Sequence, residues 1–230
     1  MSDDFTPALG RLAPTRFYDP VVALTRERRW RSSVVMYSSP RPGETVIDVG
    51  CGTGSLALLL ARAEPRATIV GVDPDPSVLA AAERKAATER KAAAERKAAT
   101  GRPGATVRWE RGMGDALVSL LGTGSVDTAV SSLVLHQCPV PVKRALLASM
   151  HAVLRPGGRL VVADYGWQRT RLMRLAFRTV QLADGRADTQ PNADGVLPEL
   201  IAGAGFGDVR EAEVVPTVTG SISLYVARRP

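Results

Sequence analysis

The run Val46-Ile47-Asp48-Val49-Gly50-Cys51-Gly52-Thr53-Gly54-Ser55, continued by Leu56-Ala57-Leu58-Leu59-Leu60-Ala61, decides how this chain is read. Thr45 to Val49 is short, apolar and largely β-branched, which predicts a buried parallel strand. From Ser55 onward the chain is rich in leucine and alanine, which predicts a helix opened by a glycine turn. Strand, glycine turn and helix bring the free N–H groups of the helix start to the carboxyl end of a central strand. Such a place receives an anionic group, and glycines at alternate positions let a ligand lie against bare backbone.

A nicotinamide-binding loop would read G-x-G-x-x-G. Here the spacing is G-x-G-x-G, and Asp48 lies inside the strand just before it. A carboxylate at that place repels a pyrophosphate and attracts a cation, such as an amino-acid ammonium beside a sulfonium. Asp48-Val-Gly-Cys-Gly-Thr-Gly resembles motif I of the class I, Rossmann-like methyltransferases that depend on S-adenosylmethionine (SAM). The resemblance implies that Asp48, Gly50, Cys51, Gly52 and Gly54 border the cofactor.

Length and composition allow this reading. A chain of 230 residues makes one domain with a full core, and 45% apolar with 23% charged residues is ordinary for a soluble protein. No apolar run approaches the roughly 20 residues of a bilayer span. Met1-Ser2-Asp3-Asp4 lacks the basic start of a secretory signal, so a cytoplasmic protein is expected. Cys51 and Cys138 are too few for a disulfide framework or a metal cluster, and no metal is expected. The net charge of +7 raises the question of nucleic acid. Arginines scattered along the chain without an aromatic-interleaved cluster argue against it.

Before the first strand, residues 1–40 suggest an N-terminal cap of one or two amphipathic helices, with Val21, Leu24, Trp30, Val34 and Val35 as its apolar positions. By the resemblance, such a segment lies over the cofactor, which makes Tyr18 and Tyr37 candidates for substrate contact. After the first helix, Arg66 to Val72 predicts a second strand ending at Asp73. Asp73 follows Gly50 by 23 residues, close to the separation at which a carboxylate receives ribose hydroxyls in dinucleotide folds. The resemblance assigns it the ribose of SAM, with Pro74 beside it. Asp75 reads as a helix N-cap.

Three near-identical hexads follow, beginning at Ala82, Thr88 and Ala94, each continuing Glu-Arg-Lys-Ala-Ala. Alanine, glutamate, arginine and lysine favour a helix, expected over 77–99. Six residues advance a helix by about 600°, so successive copies turn by about 120° and their apolar positions form no stripe. A helix polar on all sides projects into solvent. Removing Glu89 to Thr100 would join a normal helix to Gly101-Arg-Pro-Gly, so residues 82–100 read as a short helix extended by tandem repetition.

Ala105 to Glu110 predicts the third strand. The turn Gly114-Asp115-Ala116 is assigned to the adenine by the resemblance, while Asp115 serves equally as a helix N-cap. Ser125 to Gln137 predicts strand four and its exit, with Asp127 structural. Ser131 points to the cofactor and His136 to the substrate, where it could take a proton as a base or shape the pocket. A helix is expected over Val142–Leu154. Leu154-Arg-Pro-Gly-Gly before strand five is a second landmark of these methyltransferases. Asp164, Tyr165 and Trp167 leave that strand beside His136 as substrate candidates. Leu172, Leu175, Ala176, Thr179 and Leu182 recur at helical spacing over Arg169–Leu182. Asp184 to Gly195 reads as a polar loop, a lid or rim carrying Asn192. Leu197–Ala204 predicts a short helix, and Asp208–Val214 with Ile222–Ala227 a closing antiparallel hairpin.

Alternating strands and helices predict an α/β fold, here a seven-stranded, mostly parallel sheet with helices on both faces and the last strand reversed. The resemblance is to the small-molecule branch, shared with quinone, sterol and natural-product methyltransferases. It implies SAM as donor, S-adenosylhomocysteine as product and a small-molecule acceptor, and the apolar strand exits with few acids point to a neutral or lipophilic one. A SAM-binding enzyme with other chemistry, such as cyclisation, and a nucleic-acid methyltransferase using the basic helix are the alternatives.

Overall fold

The computed structural model describes residues 27–100 and 107–230. The expected helices before residue 27, and Tyr18 with them, lie outside the described residues, as do Ala105 and Thr106. Helix α1 (Glu27–Ser38) leads to β1 (Thr45–Val49), α2 (Ser55–Ala63), β2 (Thr68–Asp73) and the long α3 (Pro76–Thr100). Then come β3 (Val107–Arg111), a short α4 (Leu117–Leu121), β4 (Val126–Ser132), α5 (Val140–Val153) and β5 (Leu154–Tyr165). Helices α6 (Arg171–Asp184), α7 (Arg186–Ala193) and α8 (Leu197–Gly203) precede the hairpin of β6 (Gly207–Thr217) and β7 (Gly220–Arg228).

The strands form one sheet in the order β3-β2-β1-β4-β5-β7-β6. β1 to β5 pair in parallel, and β7 runs antiparallel to both β5 and β6, so six strands point one way and β7 is reversed. The order turns outward from β1 in both directions, so the β1/β4 boundary is the crevice at which sheets of this kind bind ligands. Alternation along the strands divides the core. Val46 faces Trp30, Val34, Leu56 and Leu60, whereas Ile47 and Val49 face Leu117, Leu146, Leu147 and Met150. Asp48 shares the parity of Val46 and is carried into the first of these apolar layers, wholly buried.

Helix α3 spans the expected hexad segment. Val78, Leu79, Ala82 and Ala86 are buried, and beyond them Ala87, Thr88, Arg90, Lys91 and Ala94 are exposed. The helix therefore packs through its first hexad, and of the described positions after it Glu89 alone is half-buried.

The polar loop expected from Asp184 to Gly195 is instead the end of α6 and the whole of α7, despite Pro191 inside the latter. Gly185, at φ 84, turns the chain between the two helices. The polar side chains are satisfied locally: Thr189 Oγ1 donates to the Gly185 carbonyl at 2.7 Å, and Gln190 bonds Gln181 and Asp194 at 3.0 Å each. Tertiary packing, not an apolar stripe, holds this helix. Among the described residues no helix is long and apolar enough to cross a membrane.

Candidate functional site

The site begins where β1 ends. Gly50, Gly52 and Gly54 all adopt left-handed backbone, at φ 72, 52 and 76. At Gly50 a Cβ would stand 2.3 Å from Val134 Cγ2, so packing as well as conformation demands glycine there. At Gly52 a Cβ would meet nothing within 4 Å, which leaves the loop backbone open to an incoming group. The loop is tied to β2 by the amides of Gly50 and Cys51, which donate to the Val72 carbonyl at 2.9 and 3.1 Å.

Two carboxylates frame this loop. Asp48 is fully buried, and neither of its oxygens has a hydrogen-bond partner among the described residues. Burial pushes its pKa up to about 7, with the Arg31 charge opposing and Asp73 adding to the rise. A wholly buried carboxylate is costly, so this group is suited to a cationic partner. Asp73 sits at the end of β2, where Oδ2 accepts from the Gly52 amide at 2.9 Å and Oδ1 from the Asp75 amide at 3.0 Å. Burial raises its pKa, and those two hydrogen bonds oppose the rise. Each oxygen retains acceptor capacity beyond its single amide. Asp75 accepts the Ser77 amide at 2.7 Å, as an N-cap does, and Pro74 lends its carbonyl to Arg111 Nε at 3.4 Å.

The remaining cofactor candidates gather around the same strand end. A Cβ on Gly114 would lie 2.8 Å from Val49 Cγ1, which brings the Gly114-Asp115-Ala116 turn against β1. Asp115 and Ala116 are exposed there. The Leu117 amide at the start of α4 goes to Ser149 Oγ at 3.0 Å, and α4 has no capping bond from its own N-cap side chain. Ala116, not Asp115, is the residue at the N-cap of α4. Ser131 lies opposite Val49 in the sheet and its hydroxyl donates to the Val49 carbonyl at 2.9 Å. Cys51 is buried, its thiol pushed far up by burial and by Asp48 and Asp73.

Two residues here were missed by sequence reasoning. Lys85, in the first hexad, reaches back to Thr53 Oγ1 at 3.1 Å and Ser55 Oγ at 2.8 Å, fastening α3 to the glycine turn. Trp109 of β3 lies under the loop, so close that a Cβ on Gly54 would stand 2.3 Å from its ring. Repetition hid the first, because Lys85, Lys91 and Lys97 are identical in local sequence. The second follows from strand parity only once the β2–β3 register is known.

At the ends of β4 and β5 a second group assembles. Asp164 Oδ2 accepts the amides of Val134 at 3.0 Å and Leu135 at 2.7 Å. Its Oδ1 accepts the Tyr165 amide at 2.8 Å and meets His136 Nδ1 at 2.7 Å. The other ring nitrogen of His136, Nε2, faces Asp184 Oδ2 at 3.3 Å. Burial pulls the His136 pKa down, but the charge and hydrogen bond of Asp164 and then those of Asp184 prevail, lifting it to about 9. Both ring nitrogens of His136 are thus engaged by carboxylates of the chain.

Tyr165 is buried edge-on to His136, ring centroids 5.0 Å apart, and its hydroxyl shares a 2.7 Å hydrogen bond with Thr219 Oγ1. Its phenol is pushed up to about 12 by burial. Asn192 lies in α7, not on a loop; its Nδ2 donates to the Tyr165 carbonyl at 2.9 Å, and its buried Oδ1 has no partner among the described residues. Trp167 is partly exposed, with the Arg169 guanidinium 4.7 Å above its ring. Tyr37 stands apart from this group, its hydroxyl donating to the Ala212 carbonyl of β6 at 3.3 Å. Lys143 of α5 is fully buried and donates to the Asp188 carbonyl at 2.6 Å, its pKa lowered by burial. Its spacing to Leu146, Leu147 and Met150 placed it on the buried stripe of α5, a signal the sequence did carry. Among the described residues no group of three or more His, Cys, Asp or Glu is arranged to hold a metal ion.

Comparison with known proteins agrees with this geometry. Residues 47–160 match the methyltransferase-domain family, a segment containing the glycine loop, Asp73 and His136. An uncharacterized protein in a transposon of Streptomyces fradiae is 30% identical over 91% of this chain and 54% of its own length. A ubiquinone/menaquinone biosynthesis C-methyltransferase of Rubrivivax gelatinosus is 26% identical over 80% of this chain and 70% of its own length. The chain thus spans about half to two thirds of such relatives. Magnesium protoporphyrin IX methyltransferase from Synechocystis, solved with bound S-adenosylhomocysteine, shares the fold with a TM-score of 0.64 at 21% identity, over 89% of this chain and 84% of that one. By sheet order, glycine loop and family match together, the chain belongs to the class I, SAM-dependent methyltransferase family.

Proposed function

We propose that this protein transfers the methyl group of SAM to a small, apolar acceptor. The observation that carries the reading is Asp48, a wholly buried carboxylate beside an open glycine loop, whose burial outweighs the opposing Arg31 charge and Ala57 amide. The residues present suit SAM. Asp48 meets the need of an ammonium and a neighbouring sulfonium for negative charge. The Gly52 backbone admits the ligand, Asp73 has lone pairs for the ribose hydroxyls, and the Gly114-Asp115-Ala116 turn stands where an adenine would reach. SAM, when bound, supplies a methyl group already activated by the sulfonium charge.

What this chain contributes is placement and exclusion of water. Asp73 holds the loop amide of Gly52 and so sets the shape of the cradle. Asp164 gathers the exit of β4 and holds His136, Tyr165 and the Val134 and Leu135 amides in one arrangement at the acceptor end. His136, held at both ring nitrogens by Asp164 and Asp184, fixes the exit of β4 and the end of α6 beside the acceptor. The partly exposed Trp167 and the aromatic edge of Tyr165 favour an apolar acceptor. The Rubrivivax relative is named for ubiquinone/menaquinone biosynthesis and the Synechocystis neighbour for magnesium protoporphyrin IX, both conjugated-ring molecules, in keeping with an apolar acceptor.

Incubation with SAM carrying a labelled methyl group and a panel of quinols, phenols and porphyrin carboxylates tests the reading. Label appearing in one acceptor class, with S-adenosylhomocysteine released in equal amount, is the expected result. Binding of SAM without transfer to any member of the panel, alongside turnover of SAM to another product, would overturn it.

A further inference from the structure

Helix α6 has two apolar faces, and among the described residues only one is packed. Phe177 and Val180 are buried against the sheet. On the opposite side Leu172, Leu175 and Leu182 are 75%, 57% and 87% exposed. At about 100° per residue, these three leucines and Thr179 fall within an arc of about 80°. Arg171, Arg174 and Arg178 fill the neighbouring arc of about 60°, and all three are exposed. The stripe that the sequence singles out is thus an outward one.

The charges on this helix point to an external partner. The first acid along α6 is Asp184, its last residue, and that carboxylate is turned inward to His136. Arg171 and Arg174 occupy the first turn, where the helix dipole disfavours positive charge. Among the described residues no carboxylate forms an ion pair with Arg171, Arg174 or Arg178; Arg174 Nε donates to the Gln168 carbonyl at 2.9 Å. The segment before the helix adds Trp167, 45% exposed, with Arg169 over its ring. A leucine stripe bordered by arginines and an amphipathic tryptophan is the composition of a helix that lies in a membrane interface.

We propose that the outer face of α6 docks the protein on an anionic membrane surface. Leu172, Leu175 and Leu182 enter the boundary between headgroups and acyl chains, and Arg171 and Arg178 meet the lipid phosphates. The inner face of the same helix ends at Asp184 on His136, so docking is mechanically joined to the acceptor end of the sheet.

The test is co-sedimentation of the full chain with vesicles of phosphatidylcholine containing phosphatidylglycerol, against phosphatidylcholine alone, with sedimentation velocity run in parallel. The proposal expects binding to the anionic vesicles that weakens with salt, and little to the neutral ones. Arg171→Gln with Arg178→Gln should reduce partitioning roughly tenfold or more. Leu172→Gln with Leu175→Gln and Leu182→Gln should abolish it, with SAM affinity and melting temperature unchanged. Equal binding to both vesicle types, or no binding to either, overturns the proposal. So does a dimer that the leucine variant dissociates, which assigns the face to a second copy. A leucine variant that melts earlier without any vesicle binding assigns it to another part of this chain.

Discussion

Nδ1 of His136 lies 2.7 Å from Oδ1 of Asp164, an ion pair with both side chains buried at the joined ends of β4 and β5. Asp184 closes the other side of the ring at 3.3 Å and so ties α6 to the sheet. Folding raises the His136 pKa from its ordinary 6.5 to about 9. The folded state then binds the proton more tightly than the unfolded chain, so this contribution is fully present below pH 6.5 and is lost as pH rises toward 9. Melting temperatures across that window should fall with rising pH. Asp184→Ala should cost about 1–3 kcal/mol near pH 6.5, because it leaves the buried Nε2–H of His136 without an acceptor. A variant as stable as the parent there contradicts the pairing.

Asp48 shifts in the same direction for a different reason, burial disfavouring its charged form. Its pKa rises from 3.8 to about 7, so between those values stability declines as pH rises, and above them the folded protein holds a buried anion. Asp48→Asn should therefore stabilise the ligand-free protein at pH 8 by about 1–3 kcal/mol. The same change should weaken SAM by about 1–3 kcal/mol, and the parent's affinity should strengthen as pH rises through 7. Calorimetric melting and titration at pH 6 and pH 8 read both effects. Lower stability with unchanged affinity would remove Asp48 from the site.

Asp73 ties the end of β2 to the glycine loop and is proposed to receive the ribose of SAM. Asp73→Ala loses acceptors for the Gly52 and Asp75 amides and for the ribose, and SAM affinity should fall by about 1–3 kcal/mol. Asp73→Asn keeps one oxygen acceptor and should lose less. Equal affinity in Ala and parent would refute the assignment.

Deleting Glu89 to Thr100 removes the two later hexads. The one ion pair the described residues show across that boundary is Glu89 with Arg62 at 3.7 Å, partly exposed and worth about 0–1 kcal/mol. Stability and SAM affinity should both survive. Lys85→Ala, by contrast, should loosen the loop and weaken SAM. Loss of folding on deletion would show that the extension is part of the core.

The fold was legible wherever local pattern and chemistry coincide. Asp48 to Ser55 carries a strand end, a turn that needs positive φ, and a helix start within eight residues of sequence, and the same run lines the candidate site. Asp73 was legible through its spacing. The reading failed where partners are distant in sequence. Gly185, Pro191 and Gly195 together signal a loop, yet Asn192 bonding to Tyr165 and Lys143 to Asp188 stabilise a helix there. The charge state of His136 depends on Asp164 and Asp184, respectively 28 and 48 residues away. A helical stripe such as that of Leu172, Leu175 and Leu182 tells which residues share a face, and only the packed structure tells whether that face is covered.

Calorimetric titration of the purified full chain with SAM, S-adenosylhomocysteine and NADH is the most direct test of the cofactor assignment. Micromolar binding of both sulfur ligands, with none of NADH, is the predicted result. Failure of SAM and S-adenosylhomocysteine to bind a chain that is folded by its melting transition would contradict the account of the Asp48–Gly54 loop and the function built on it.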